Sequence, residues 1–518
     1  MTQVEKIKSQ ATEKGTKAKK AYKTSFKLLL TFLLDIVILI VLGRFLFSIF
    51  VWLVAAFYFA GIILSIRVAV GEKNYDSKIT WIIFLLTLAP LAVVLYFMGG
   101  ELASKPIRSL RMKKIYDKSN LFEKVKVSEN LSARVKQDCN YIQNTTSYIP
   151  YYNSSCEYFK TGEEFYDDVL LKLKTAEKFI FIDFFILKEG KLADAVFEIL
   201  IEKVKAKVDV RIVGDGLGSF GIFKSSNLRK LRSLGIRIIP FERIAFFRNS
   251  VLANYRNHRK IIVIDGHTGY VCGANLADEY INAKTKFGLW KDAGMRIDGD
   301  AVNSLTLTFL RMWEYSSKEE VDYEKFIYTK EPVIENSDSV IIPYAGGPEQ
   351  QLKICKDVYY NIVSNAKEKI YIMTPYFIVG KDLIDMLKKK ARSGVDVRLL
   401  IPCTPDKSFV FSLTLENAKS MINSGVKVYR YTPGFLHSKV FYSDDECAVV
   451  GSVNLDFRSF YQQYEVAAYI AGKQKALETI KADFETTFEQ SELITTTKKR
   501  NIFIRIWYAF LRLFAPLM

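Results

Sequence analysis

Two of the three histidines in this 518-residue chain stand in the same spaced set. The first set is His258-x-Lys260-x4-Asp265 in "NHRKIIVID", followed by Gly273 and Asn275 in "GAN". The second is His437-x-Lys439-x4-Asp444 in "LHSKVFYSD", followed by Gly451, Ser452 and Asn454 in "GSVN". At average composition a given histidine meets lysine at +2 and aspartate at +7 about one time in a few hundred, so the double occurrence is not accidental. These residue types suit phosphoryl transfer, in which phosphate oxygens are neutralised, phosphorus is attacked and the leaving alcohol is protonated. Two lysines and two asparagines supply charge and donors. One imidazole can attack while the other serves as acid and then base. The scheme needs no metal or cofactor, and no His, Cys, Asp or Glu grouping has metal-ligand spacing.

Each motif opens a β-branched, aromatic-rich run, which predicts a strand with side chains alternating between faces. His258 and Lys260 then share a face, as do His437 and Lys439, whereas Asp265 and Asp444 have the opposite parity. The catalytic set is read as His258, Lys260, Asp265, His437, Lys439 and Asp444, with the two aspartates in a structural role at strand ends. Asn275 and Asn454, each 17 residues beyond its histidine, are expected to donate amide hydrogens beside it. His267, in the turn sequence "DGHTG", is expected to be an exposed bystander.

The elements that must position these groups are duplicated as well. "KFIFIDFFI" (178–186) matches "KIYIMTPYFI" (369–378) at an offset of 190, and "VDVRIV" (208–213) matches "VDVRLL" (395–400) at 187. Apolar runs alternate with helix-period stretches such as "LADAVFEILIEKV" and "DLIDMLKKKA", which indicates α/β units. The body is expected to form two similar domains, 151–330 and 331–497, preceded by a polar linker at 99–150.

Ahead of the body lie apolar stretches. Phe45 to Ile66 and Ile79 to Met98 are each uncharged and long enough to cross a bilayer, and Phe26 to Gly43, interrupted by Asp35, reads as a third span or an interfacial helix. No signal-peptide cleavage site follows, so retained anchors are expected. The formal charge of +18 is unevenly spread: residues 1–27 carry +6, 28–100 carry +1, 101–118 carry +4, 498–518 carry +5, and only +2 remains for 119–497. Basic clusters beside membrane segments fit an anionic membrane surface rather than a nucleic acid. Basic flanks at 1–27 and 101–118 both favour the cytoplasm, which requires an even number of crossings. Two crossings are expected, in a multi-pass cell-membrane protein with a cytoplasmic catalytic body. The tail at 498–518, with Arg505 and Arg512 on one helical face, reads as a basic amphipathic helix in the headgroup region. Six scattered cysteines, with no C-x-x-C pair, read as free thiols.

With these motifs the chain resembles the phospholipase D superfamily and, within it, the bacterial cardiolipin synthases. "NHRKIIVIDG", "GANLADEYIN", "WKDAGMRI", "TPYFIV", "GVDVR", "GFLHSK" and "GSVNLDFRS" carry the narrower likeness, which covers residues 150–518. The resemblance implies two phospholipase D-type α/β domains, each a mixed sheet flanked by helices, joined as a pseudo-dimer. It implies that two phosphatidylglycerol molecules become cardiolipin and glycerol through a phosphatidyl-histidine, with His258 as nucleophile and His437 as general acid/base. The near-symmetric sequence does not itself assign those roles. It further implies that Glu465, in "QQYEV", orients a histidine, that Asp292 is its first-half counterpart, and that Asn275, Ser452, Asn454 and Glu465 line the substrate site. Two positions depart from symmetry or from the family pattern: Gly273 stands where the second half has Ser452, and Gln463 stands where an asparagine is usual. A hydrolase, or a phosphatidyltransferase using another alcohol, would use the same histidines, and the oligomeric state, including a homo-oligomer, stays open.

Overall fold

The computed structural model describes residues 3–71, 75–99, 105–242, 255–328 and 337–495, with 501, 503, 508, 511 and 512. The chain divides into two units, Met1–Leu95 and Tyr96–Met518. The first unit is built on one continuous helix, Gln3–Val70. Its Leu29–Val70 stretch, 42 residues of mean hydropathy 2.6, is the one helix among the described residues long and apolar enough to cross a membrane. At 1.5 Å per residue that stretch is about 63 Å long, roughly twice a hydrocarbon core. The expected separation of Phe26–Gly43 from Phe45–Ile66 is therefore corrected. Gly43 and Arg44 do not interrupt the helix, because neither removes a backbone donor.

Ile79–Met98, expected as one span, is instead divided between Tyr75–Thr87 and Ala89–Gly99. Pro90 has no N–H to donate to a continuing ladder and sits in the first turn of the later helix. Tyr75–Thr87 runs back along the long helix, with the Tyr58 hydroxyl donating to Thr87 O at 3.1 Å and Lys78 Nζ to Ala69 O at 3.0 Å.

The second unit holds two sheets of matching order. The first runs Arg237–Phe241, Asp209–Asp215, Phe179–Phe184, Lys260–Ile264, Thr268–Cys272, Gly294–Asp298, Ser155–Phe159. The second runs Lys427–Tyr431, Asp396–Pro402, Lys369–Met373, Val440–Ser443, Cys447–Gly451, Glu465–Gly472, Ser339–Gly346, with Ser491–Leu493 added beside Lys427–Tyr431. In each, three parallel strands adjoin an antiparallel hairpin that begins at the motif lysine or just after it. The central strands Phe179–Phe184, Lys260–Ile264 and Thr268–Cys272, like Val440–Ser443 and Cys447–Gly451, are buried throughout, as expected for sheets covered on both faces. Val271 and Met295 of the first sheet share one apolar core with Val449 and Ala467 of the second, so the halves are fused.

Of residues 99–150, expected as a linker, the described stretch 105–150 belongs to this folded unit. The helix Ala133–Thr145 is capped by Ser132, whose hydroxyl accepts from Val135 N at 3.2 Å, and it buries Val135, Cys139 and Ile142 completely. Tyr469 OH donates to Asp138 at 3.0 Å and Tyr141 OH to Asp357 at 2.9 Å, tying the helix to the second half. A polar average over the segment conceals this one-sided pattern. The tail at 498–518 lies mostly outside the described residues. Of it, Leu511 is buried against Ile378, Leu413 and Phe457, with Tyr508 beside them, while Phe503 is exposed.

Candidate active site

Each motif histidine sits on the approach to its strand, and each approach pairs with the other half of the chain. Asn257 bridges to Tyr464, and the His258 amide donates to Tyr464 O at 2.9 Å. Reciprocally, Gly434–Leu436 pairs in parallel with Leu289–Lys291, and the His437 amide donates to Lys291 O at 2.7 Å. These two exchanges bring each imidazole onto an acid from the opposite domain. His258 Nδ1 lies 2.9 and 3.1 Å from the two oxygens of Glu465. His437 Nδ1 lies 2.5 Å from Asp292 Oδ2. In both rings the acid fixes Nδ1 and leaves Nε2 as the reactive nitrogen.

The two acids are held differently. Glu465 accepts from Ser459 Oγ at 2.7 Å and from Ser452 Oγ, while Ser452 Oγ also accepts from Val466 N at 3.0 Å. Asp292, one methylene shorter, stands against Gly273: a Cβ there would lie 2.2 Å from Asp292 Oδ1. The departure of Gly273 from Ser452 thus has a steric cause. Asp292 Oδ1 accepts instead from Ala293 N at 2.9 Å.

Lys260 Nζ donates to His258 O at 2.6 Å, and Lys439 Nζ lies 2.6 Å from His437 Nδ1 and 3.1 Å from Nε2. Both lysines are buried, and each acts electrostatically on the histidine of the other half as well as on its own.

Asp265 and Asp444 do not join this group. Their backbones are left-handed, at φ 53° and 56°, in the turns that leave the motif strands. Asp265 accepts the amides of Glu177, Lys178 and Phe179 at 2.7–2.8 Å, and Asp444 accepts those of Lys367, Glu368 and Lys369 at 2.8–2.9 Å. As members of the catalytic set they are corrected: each anchors the start of the neighbouring strand, and Asp444 also binds Arg134. A short side chain that tolerates positive φ and accepts backbone amides explains aspartate here.

Asn275 is corrected too. Its Nδ2 donates to Tyr280 OH at 2.6 Å and its Oδ1 accepts from Ile186 N at 3.1 Å, which commits the amide to the first half's own loop. Asn454 differs, because its buried Oδ1 has no partner among the described residues. Gln463 is buried beside the acid-bearing strand. His267 is exposed, with its ring 5.1 Å from Tyr328. Sequence reasoning passed over the aromatic walls: Phe185 stands 5.1 Å from His258, while Trp290, Tyr280 and Phe435 stand 5.3, 5.5 and 5.8 Å from His437. Ser459 was also missed, although "NLDFRS" contains it, because its tie to Glu465 has no local spacing.

Burial, with Lys260 and Lys439 next and then Arg458 and Lys407, holds His258 well below the ordinary imidazole value. His437 is pushed down to about 4 by burial and Lys439, against the opposing pull of Asp292. Burial lowers Lys260 to about 7 and Lys439 to about 8. Burial likewise raises Glu465 to about 7, opposed by Lys260, Ser452 and Ser459. Burial would raise Asp292 as well, but Lys439, His437 and the Ala293 amide outweigh it and keep the carboxyl low. At neutral pH both imidazoles are unprotonated and Asp292 is ionised.

Two fused α/β domains closing one His-Lys pair each around a common cleft define the phospholipase D class of fold. Residues 169–313 and 359–490 match the family model described as cardiolipin synthase, PLD-like domain. The chain is 32% identical over 493 residues to a cardiolipin synthase of Halalkalibacterium halodurans, covering 90% of this chain and 95% of that one. It is 33% identical over 462 residues to a cardiolipin synthase 2 of Bacillus anthracis, covering 86% and 88%. In fold it is similar to the crystal structure of phosphatidylserine synthase from Haemophilus influenzae Rd KW20, with a TM-score of 0.56, 15% identity, and coverage of 76% of this chain and 98% of that one. The chain belongs to the cardiolipin synthase PLD-like family.

Proposed function

We propose that this phosphatidyltransferase makes cardiolipin from two phosphatidylglycerol molecules. His258 Nε2 attacks the donor phosphorus, forming a P–N bond as the P–O bond to glycerol breaks, and His437 gives its proton to the departing glycerol oxygen. The terminal hydroxyl of a second phosphatidylglycerol then attacks, passing its proton to His437 Nε2. The P–N bond breaks, and cardiolipin leaves with both histidines restored.

The observation that carries the role assignment is the unequal holding of the two acids. Asp292, kept ionised, stabilises an imidazolium on His437 and so suits an acid/base. His258, well below its ordinary pKa beside a carboxyl raised to about 7, is a neutral nucleophile. Burial and the charge of Lys439 hold His437 unprotonated, and an entering phosphate that neutralises Lys439 removes the largest charge opposing its protonation. Substrate binding thereby arms the acid. Lys260, Lys439 and Asn454 Nδ2 are the donors assigned to the attacked phosphate.

The body is assigned to the cytoplasmic face, supported by the basic flanks at 1–27 and 101–118. The antiparallel packing of Tyr75–Thr87 against the end of Gln3–Val70 supports a second crossing that returns the chain. Incubating membranes with headgroup- and acyl-labelled phosphatidylglycerol tests the reading: cardiolipin and free glycerol in equal amounts are expected, and phosphatidic acid without cardiolipin would replace the synthase with a hydrolase.

A further inference from the structure

The cleft carries more positive charge than one phosphodiester requires. Besides Lys260 and Lys439, both Arg458 and Lys407 act on the His258 imidazole. Neither belongs to the duplicated set, and Arg458 has no first-half equivalent. Asn454 matches Asn275 at an offset of 179, which sets Arg458 opposite Glu279, an acid ion-paired with Lys188 at 3.1 Å. Lys407 stands at the start of the helix Ser408–Ile422 as Lys224 does at the start of Ser225–Ser233, so the asymmetry lies with Arg458.

The placement of Arg458 is unusual for an arginine. It directly precedes Ser459, whose hydroxyl holds Glu465 at 2.7 Å, and Glu465 holds His258, so its backbone is one residue from the nucleophile's support. Its Nε is buried without an acceptor, and among the described residues no carboxylate pairs with it. A buried guanidinium nitrogen lacking an acceptor is costly unless a ligand supplies one. Lys407, on an exposed loop, lies with Nζ 5.8 Å from the Tyr376 ring, whose hydroxyl is engaged by Asp406 at 2.5 Å.

The proposed reaction presents a matching need. Two anionic phosphodiesters must share the cleft in the second step, since the acceptor's hydroxyl attacks one phosphorus while its own phosphate is only a three-carbon headgroup away. Without a separate cation the two charges repel. We infer that Arg458 and Lys407 form the seat of the acceptor lipid's intact phosphodiester, on the second-half side of the cleft, apart from the motif lysines that hold the attacked phosphate. Arg458 supplies the planar donor fork and Lys407 a point charge at the mouth. The asymmetry between Arg458 and Glu279 then gives the pseudo-symmetric cleft one acceptor side. The inference rests on the cardiolipin reading and would explain how an anionic alcohol is preferred over water.

The test offers purified full-length enzyme labelled phosphatidylglycerol in mixed micelles with ethanol present, so that an anionic and an uncharged acceptor compete for the same phosphatidyl-enzyme. Arg458→Gln is expected to lower the ratio of cardiolipin to phosphatidylethanol about tenfold or more, and Lys407→Gln, at an exposed position that leaves folding intact, about threefold. Arg458→Lys should recover part of the ratio. Unchanged ratios in both glutamine variants would overturn the seat, as would a fall in both products together. Phosphatidylethanol without any cardiolipin from the unsubstituted enzyme would overturn the cardiolipin reading itself.

Discussion

Glu465 holds His258 from the opposite domain, its carboxylate 2.9 Å from Nδ1 across 207 residues of chain. Asp292 holds His437 in the reverse direction across 145 residues. Neither half contains a complete histidine-acid pair, so catalytic competence is a property of the fused unit. Fragments 151–330 and 331–497, expressed separately, should each be inactive in a phosphatidylglycerol transfer assay. Activity from either alone would mean that one half can orient its own histidine.

Glu465→Gln keeps the shape of the site but replaces an acceptor-only group with an amide. Its kcat should fall on the order of 10²- to 10⁴-fold with a smaller change in KM, because the loss is in orienting and stabilising His258 rather than in lipid binding. A KM effect of equal size would assign Glu465 to binding.

Gly273→Ser should abolish activity even though it makes the two halves more alike. The added Cβ, 2.2 Å from Asp292 Oδ1, must displace the acid from His437. Ser452→Gly removes one donor from Glu465 and should cost only about tenfold. Steady-state rates of the pair check the contrast, and a tolerated Gly273→Ser would contradict the steric account.

Asp444→Ala should act on stability rather than on chemistry. Three strand-starting amides lose their acceptor and a left-handed backbone loses a residue suited to it, a loss of about 2 kcal/mol read as a lower Tm. Below that Tm the turnover of the folded enzyme should stay within a fewfold of the unsubstituted protein. A rate loss as deep as that of His437→Ala would restore Asp444 to the catalytic set.

The pH dependence follows from the lysines. Lys260 at about 7 and Lys439 at about 8 are charged below those values and lose charge as pH rises through them. Apparent KM for the lipid should therefore climb between pH 7 and 9, while neutral His258 remains available throughout. A flat KM to pH 9 would show that the lysines keep their protons. Because these lysines neutralise the phosphate, activity should also survive chelation by EDTA.

The duplicated spacing made the clustered residues readable, since His258 and Lys260, like His437 and Lys439, stand two apart on one extended segment. Parity likewise separated Asp265 and Asp444 from them. Which acid serves which histidine was not legible, because the exchange depends on Leu289–Lys291 pairing with Gly434–Leu436, a contact between remote segments with no local signal. Asn275 looked equivalent to Asn454, yet Tyr280, standing where the second half has Ser459, captures its amide. Composition alone misread the two ends of the membrane region, where Gly43–Arg44 continues a helix that hydropathy divides and Pro90 breaks one that hydropathy joins. It also misread 99–150, where three buried residues on one helix face are diluted by polar neighbours.

His258 is assigned as the nucleophile and His437 as the acid/base. Full-length His437→Ala enzyme, incubated briefly with phosphatidylglycerol carrying a good leaving group in place of glycerol, should accumulate a phosphatidyl adduct, since attack no longer needs the acid but release still needs the base. Peptide mass analysis of the quenched protein should place the adduct on His258, with none in His258→Ala. An adduct on His437 in the His258→Ala enzyme, with His258 unmodified in the reciprocal variant, would contradict the assignment.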